Sequence, residues 1–148
     1  MPDVTLNFTR DEFALRLDKT RKAMAERGID LMLVTDPSNM NWLTGYDGWS
    51  FYVHQCVLVP LSGEPIWYGR EQDANGAVRT VYMDDENILG YPDIYVQSTE
   101  RHPMDLLSSI LSDKGYRTST VGVEMDNYYF SAAAYASLQK YMPNAQFV

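Results

Sequence analysis

Two rhythms of apolar and polar residues take turns along this chain. The first is helical. Phe13, Leu17 and Met24 recur near the 3.6-residue period from residue 9 onward, with Arg16, Lys19 and Lys22 at positions expected to face water. Thr9 with Glu12 three residues later has the form of a capping box, and Phe8 before the cap is placed to staple onto Phe13. Gly28 supplies a left-handed stop. The second rhythm is that of strands. Residues 29–34 form a short apolar run that reads as a buried strand. Asp36-Pro37 then marks a helix start, leading to a short helical turn over 42–45.

The alternation continues to the last residue. Residues 53–59 read as a strand, 60–65 as a turn with proline at both ends, and 66–68 as the returning strand of an antiparallel hairpin. A helix weakened by Gly76 is expected over 70–81, and a short strand over 87–89. His102-Pro103 opens a helix over 103–114 with Leu106, Leu107, Ile110 and Leu111 on its apolar face, closed by Gly115. A strand over 120–124, an alanine-rich helix over 129–141 and a final strand over 146–148 complete the pattern. Strands interleaved with helices specify a layered α/β domain, and the hairpin makes its sheet mixed rather than purely parallel.

Composition narrows the function classes. The 148 residues fit one domain, and an apolar share of 45% argues against disorder. The net charge of −8 supplies no basic patch for nucleic acid or an anionic membrane, and reads as a solubility feature. Cys56 is the only cysteine, which excludes an internal disulfide and fits a reducing cytoplasm. Residues 1–7 lack the basic and apolar regions of a signal peptide, and no apolar run approaches the ~18 residues of a membrane span.

Candidate chemistry is sparse. His54 and His102 are far apart in sequence, with no metal-ligand spacing. Asp84, Asp85 and Glu86 read as a solvated loop, and Glu124 and Asp126 as caps for the helix that follows them. No nucleophile elbow is present, Cys56 lies inside an apolar strand, and Gly45 to Gly48 is too short and too aromatic to cradle phosphate. The segment over 42–54 is different. It carries Trp42, Tyr46, Trp49, Phe51 and Tyr52 within eleven residues, broken by two glycines and followed by His54. Exposed loop aromatics suit a flat or cationic ligand or a protein interface. Alternation of Phe51 and Val53 with Tyr52 and His54 equally suits a packed strand.

The N-terminal helix, the strand over 29–34 and the segment over 37–45 together resemble the N-terminal domain of the creatinase/prolidase family. Asn39, Trp42, Thr44 and Gly45 match its "N-x-x-Y/W-x-(T/S)-G" segment, and residues 70–73 and 121–124 fit the same plan, so the resemblance spans essentially the whole chain. Within the family, residues 45–55, 68–76, 90–93 and 97–103 are similar to the ectoine hydrolase branch, whose members open the ring of a cyclic amidine solute. The resemblance implies a ribonuclease H-like α/β domain with a mixed sheet and helices on both faces. It implies no cofactor in this domain and a separate C-terminal pita-bread domain that holds the catalytic centre, with a divalent metal in the peptidase members. It implies a homodimer in which a loop, here about 49–54, reaches the small-molecule substrate in the neighbouring subunit. Tyr46, Trp49, Phe51, Tyr52 and His54 are the residues it assigns to that contact. Val53 stands near the position where creatinase carries a carboxylate-binding arginine, a departure that counts against creatinase activity. The chain is therefore expected to be a substrate-capping and dimerisation domain, non-catalytic alone, of a hydrolase that cleaves a C–N bond. The alternatives are the corresponding domain of an Xaa-Pro dipeptidase and a stand-alone binding module.

Overall fold

The computed structural model describes residues 4–148, so the part of the leader reading that rests on residues 1–3 lies outside the described residues. The chain begins with α1 (Arg10–Glu26), β1 (Leu31–Val34) and α2 (Pro37–Thr44), followed by a single 3₁₀ turn at Ser50–Tyr52. The hairpin β2 (Cys56–Pro60) and β3 (Ile66–Arg70) leads into α3 (Glu71–Thr80) and β4 (Ile88–Tyr91). The remainder is α4 (Pro103–Asp113), β5 (Thr120–Val123), α5 (Ala132–Tyr141) and β6 (Gln146–Phe147). The strands form one sheet in the order β4-β3-β2-β1-β5-β6. β2 is antiparallel to both neighbours, while β1–β5, β5–β6 and β3–β4 pair in parallel. The expected mixed sheet is therefore present, with β2 as its one reversed strand.

Each face of the sheet buries its own cluster. Leu17, Met24, Met40, Leu43, Val57, Val59, Trp67 and Ala77 pack between the sheet and α1–α3. Leu31, Leu33, Cys56, Leu58, Tyr68, Leu107, Leu111 and Leu138 pack between the sheet and α4–α5. Strand β2 sits between its neighbours and is buried at every position, which explains its unbroken apolar sequence.

Local sequence signals explain the helix ends, with corrections. Thr9 Oγ1 accepts the Glu12 amide at 3.1 Å, and Phe8 meets Phe13 edge to face at 6.2 Å. The second half of the expected box is replaced: Glu12 turns to the Arg16 guanidinium at 3.0 Å. Arg16 is not a water-facing residue. It is 8% exposed, donates to the Trp42 carbonyl at 3.0 Å and lies 4.2 Å from the Phe8 ring centroid. Its long stem covers apolar surface while the planar head finds a carbonyl, a carboxylate and aromatic faces. Asp36 caps α2 by accepting the Ser38 amide at 2.8 Å and the Asn39 amide at 3.2 Å. Helix α2 begins at Pro37, as the Asp36-Pro37 signal indicates, and is a full eight residues rather than a short turn. Helix α5 starts three residues later than the sequence pattern indicated, at Ala132, because Ser131 Oγ accepts the Ala134 amide at 3.1 Å and fixes the cap there.

Candidate functional site at the carboxyl ends of the strands

Strand direction decides where the site lies. β1, β3, β4, β5 and β6 all run the same way, and β2 runs against them. The segments that follow β1, β3, β4 and β5 therefore gather at one end of the sheet, together with the segment that precedes β2. Open α/β sheets place ligand sites outside this carboxyl end.

The turn after β1 is built by the residues of the matched segment, each for a physical reason. Glu124, just past β5, accepts from the backbone amides of Thr35 and Asp36, the latter at 2.8 Å, and from Asn39 Nδ2 at 2.6 Å. The expectation that Glu124 caps the following helix is thus corrected: it holds the start of α2, across the sheet. Asp126 makes no such cap either; Ser131 caps α5. Asn127 joins the same network by donating to Asp36 Oδ2 at 3.1 Å. Burial acts to raise the Asp36 pKa, but the bonds from Asn127, Asn39 and Ser38 outweigh it and hold the carboxyl below its usual value. Thr44 is fully buried; its hydroxyl donates to the Met40 carbonyl at 2.7 Å and accepts the Tyr46 amide at 3.2 Å. Gly45 ends α2 at φ 83°, and a Cβ there would stand 2.9 Å from the Thr80 carbonyl oxygen, so a side chain is excluded twice over.

The aromatic loop splits into a buried root and an exposed tip. Tyr46, assigned to the substrate contact from sequence, is 2% exposed. Its ring packs 5.4 Å from Trp67, and its hydroxyl pairs with Ser50 Oγ at 2.8 Å. It is a core residue that supports the loop and offers no surface to a ligand. Beyond it, Trp49, Phe51 and Tyr52 are 82%, 42% and 61% exposed. Trp49 lies 5.4 Å from Phe51, which in turn meets Tyr52 and Tyr129 at 6.4 Å each, so the rings form one aromatic surface with the segment after β5. The expected strand over 53–59 starts only at Cys56. Residues 50–52 curl into a 3₁₀ turn whose Ser50 carbonyl takes the Val53 amide at 3.1 Å, which removes that amide from any ladder.

Two further groups border this surface. Arg70, at the end of β3, makes a bidentate pair with Asp93 at 2.8 and 2.9 Å. The pairing with Asp93 raises the Arg70 pKa and lowers that of Asp93, so both stay charged. His54 is half-buried, and its carbonyl accepts from the Tyr91 hydroxyl at 2.6 Å. Its Nε2 lies 3.1 Å from Nε2 of His102. Sequence reasoning separated these histidines; they stand 48 positions apart, and no local pattern links them. Arg70 and Asp93 were likewise missed as a pair.

Cys56 is fully buried, and that burial pushes its thiol pKa far up, which makes it a core residue. Among the described residues, no three His, Cys, Asp or Glu side chains converge on a common point where a metal ion could bind. Among them, no helix is long and apolar enough to cross a membrane.

Comparison with known proteins places this geometry. Ectoine hydrolase of Halomonas elongata is 62% identical over 148 residues, covering 99% of this chain and 37% of that protein. An uncharacterized hydrolase/peptidase of Sinorhizobium fredii is 43% identical over 96% of this chain and 36% of its own length. The chain thus spans little more than a third of the relatives it matches. Among solved structures, a recombinant prolidase from Thermococcus sibiricus superposes with a TM-score of 0.71 at 10% identity over 92% of this chain and 34% of that one. The isolated creatinase/prolidase N-terminal domain of an X-Pro dipeptidase from Streptococcus pyogenes gives 0.68 at 19% identity, covering 90% and 92%. The family model for the creatinase/prolidase N-terminal domain matches residues 16–148, and this chain belongs to that family.

Proposed function

We propose that this domain caps the substrate and mediates dimerisation in a cytoplasmic hydrolase of ectoine type, which opens a C–N bond in a cyclic amidine. One observation carries the reading: in a chain 62% identical to an ectoine hydrolase, the aromatic loop keeps Trp49, Phe51 and Tyr52 exposed at the carboxyl end of the sheet. Exposing such rings is unfavourable unless something covers them, since each apolar side chain left in water forgoes about 1.5–3 kcal/mol. A delocalised amidinium ring is a fitting guest, because aromatic faces attract planar cations. Trp49, Phe51 and Tyr52 supply those faces, His54 borders them, and Tyr46 holds the loop from below. The catalytic centre, with any divalent metal, belongs to the rest of the protein; among the described residues of this domain no three metal-ligating side chains converge. The single buried thiol fits a reducing compartment.

The test is kinetic. In the full-length protein, the double variant Trp49→Ala/Tyr52→Ala is expected to lower kcat/KM for ectoine about tenfold or more, equivalent to ~1.4 kcal/mol of transition-state stabilisation. Its thermal midpoint is expected to stay near that of the parent. Unchanged kcat/KM would remove the loop from the site.

A further inference from the structure

The contact between His54 and His102 has no part in the function proposed above, and its geometry determines more than proximity. His102 is the N-cap of α4, and its Nδ1 accepts the Met104 backbone amide at 3.1 Å. An amide can only donate, so Nδ1 carries a lone pair, and the single proton of the neutral ring sits on Nε2. That Nε2–H points at His54 Nε2, 3.1 Å away. His54 Nε2 must then accept, which leaves the proton of neutral His54 on Nδ1. The ring planes are 60° apart with centroids at 4.3 Å, an edge-on arrangement rather than a stacked one.

Both rings are held from behind. His102 N donates to Asp105 Oδ2 at 2.9 Å, and the other oxygen of Asp105 accepts from Ser137 on α5. Tyr68 on β3 donates to the Pro103 carbonyl at 2.6 Å, and Tyr91 on β4 to the His54 carbonyl at 2.6 Å. Asp105, Tyr68, Tyr91 and Cys56 are the titratable groups that the packed elements bring to the pair, while Arg101 and Glu100 pair with each other on the exposed segment before α4. The same two nitrogens could be taken for a metal clamp. The Met104 amide excludes this, because it claims the one lone pair that neutral His102 has and leaves Nε2 protonated.

We propose that His102 is a positioning residue that fixes His54 as a neutral imidazole carrying its proton on Nδ1, and thereby latches the aromatic loop to the start of α4. His54 then offers the site a hydrogen-bond donor, fit for a carboxylate or carbonyl oxygen of a small ligand; this last step rests on the capping function proposed above. Either protonation breaks a bond. A proton on His54 Nε2 faces the His102 N–H, and a proton on His102 Nδ1 faces the Met104 amide. Burial accordingly lowers both pKa values, that of His102 to about 4 with help from His54 and against the pull of Asp105. The latch is intact at and above the ordinary histidine pKa of about 6.5 and is lost as pH falls toward 4.

The experiment is ¹⁵N imidazole NMR on this 148-residue chain, feasible because a domain of this family has been solved in isolation. The expected spectrum has His102 protonated on Nε2, His54 on Nδ1, and a coupling across the N–H···N bond. His102→Asn keeps a capping oxygen for the Met104 amide but deletes the ring. In that variant the fold is expected to persist, the His54 midpoint to rise by about one pH unit or more, and the Trp49 indole resonance to shift. A wild-type His54 protonated on Nε2, or a His102→Asn variant with unchanged His54 titration and Trp49 resonance, would overturn the proposal. None of these readouts uses substrate, so the latch and the capping function can fail separately.

Discussion

Residues 49–54 and 56–60 adjoin in sequence and are similarly rich in large apolar side chains, yet they meet opposite fates. β2 is buried at all five positions, clasped by β1 on one side and β3 on the other, with a helical layer over each face. The loop before it has no such partners and leaves Trp49 82% exposed. Hydrophobicity alone therefore does not decide burial in this chain. The decision is made by whether the backbone amides find a ladder, and at Val53 the amide is taken by Ser50 instead.

This contrast can be broken from either side. Leu58→Ala, in the middle of β2, is expected to cost about 2–5 kcal/mol of folding stability, because the cavity it leaves lies among tightly packed neighbours. Trp49→Ala removes a larger side chain but is expected to change stability by no more than about 0.5 kcal/mol, since little of it is buried. Paired urea melts would check both, and similar losses for the two variants would erase the distinction between the buried strand and the exposed tip. A smaller effect sharpens the picture at the turn that carries the loop. Glu124→Gln replaces an acceptor-only group, which takes bonds from Thr35, Asp36 and Asn39, with one that must point an NH₂ at a donor. A loss of about 1–3 kcal/mol is expected, with faster hydrogen exchange at the Thr35 and Asp36 amides.

Much of the frame was legible because its signals are local. Thr9, Asp36 with Pro37, Gly28 and Gly45 each act within a few residues, and the hairpin announces itself by prolines at both ends of its turn. The core of β2 was legible for the same reason, as a continuous apolar run. What sequence missed depends on partners distant in the chain. Arg16 is buried by Phe8 and Trp42, Tyr46 by Trp67, and Glu124 is drawn away from its own helix by the amides after β1. His54 and His102 meet only because β2 reverses direction and brings its amino end to the carboxyl end of β4 and the start of α4. The exposed aromatic tip was recognised as a segment, but the boundary inside it, between Tyr46 and Trp49, needed the three-dimensional packing.

The proposed capping role predicts that the exposed tip serves the active site of a neighbouring subunit. Subunit mixing in the full-length protein tests it most directly. One partner carries Trp49→Ala/Tyr52→Ala, and the other carries an inactivated catalytic domain with an intact loop. If the loop acts across the dimer, the mixed population hydrolyses ectoine faster than the weakened loop variant and the inactivated partner together account for, since each hybrid holds one complete site. If mixing verified by mass measurement gives no such gain, the loop does not act in the neighbour and the account is contradicted.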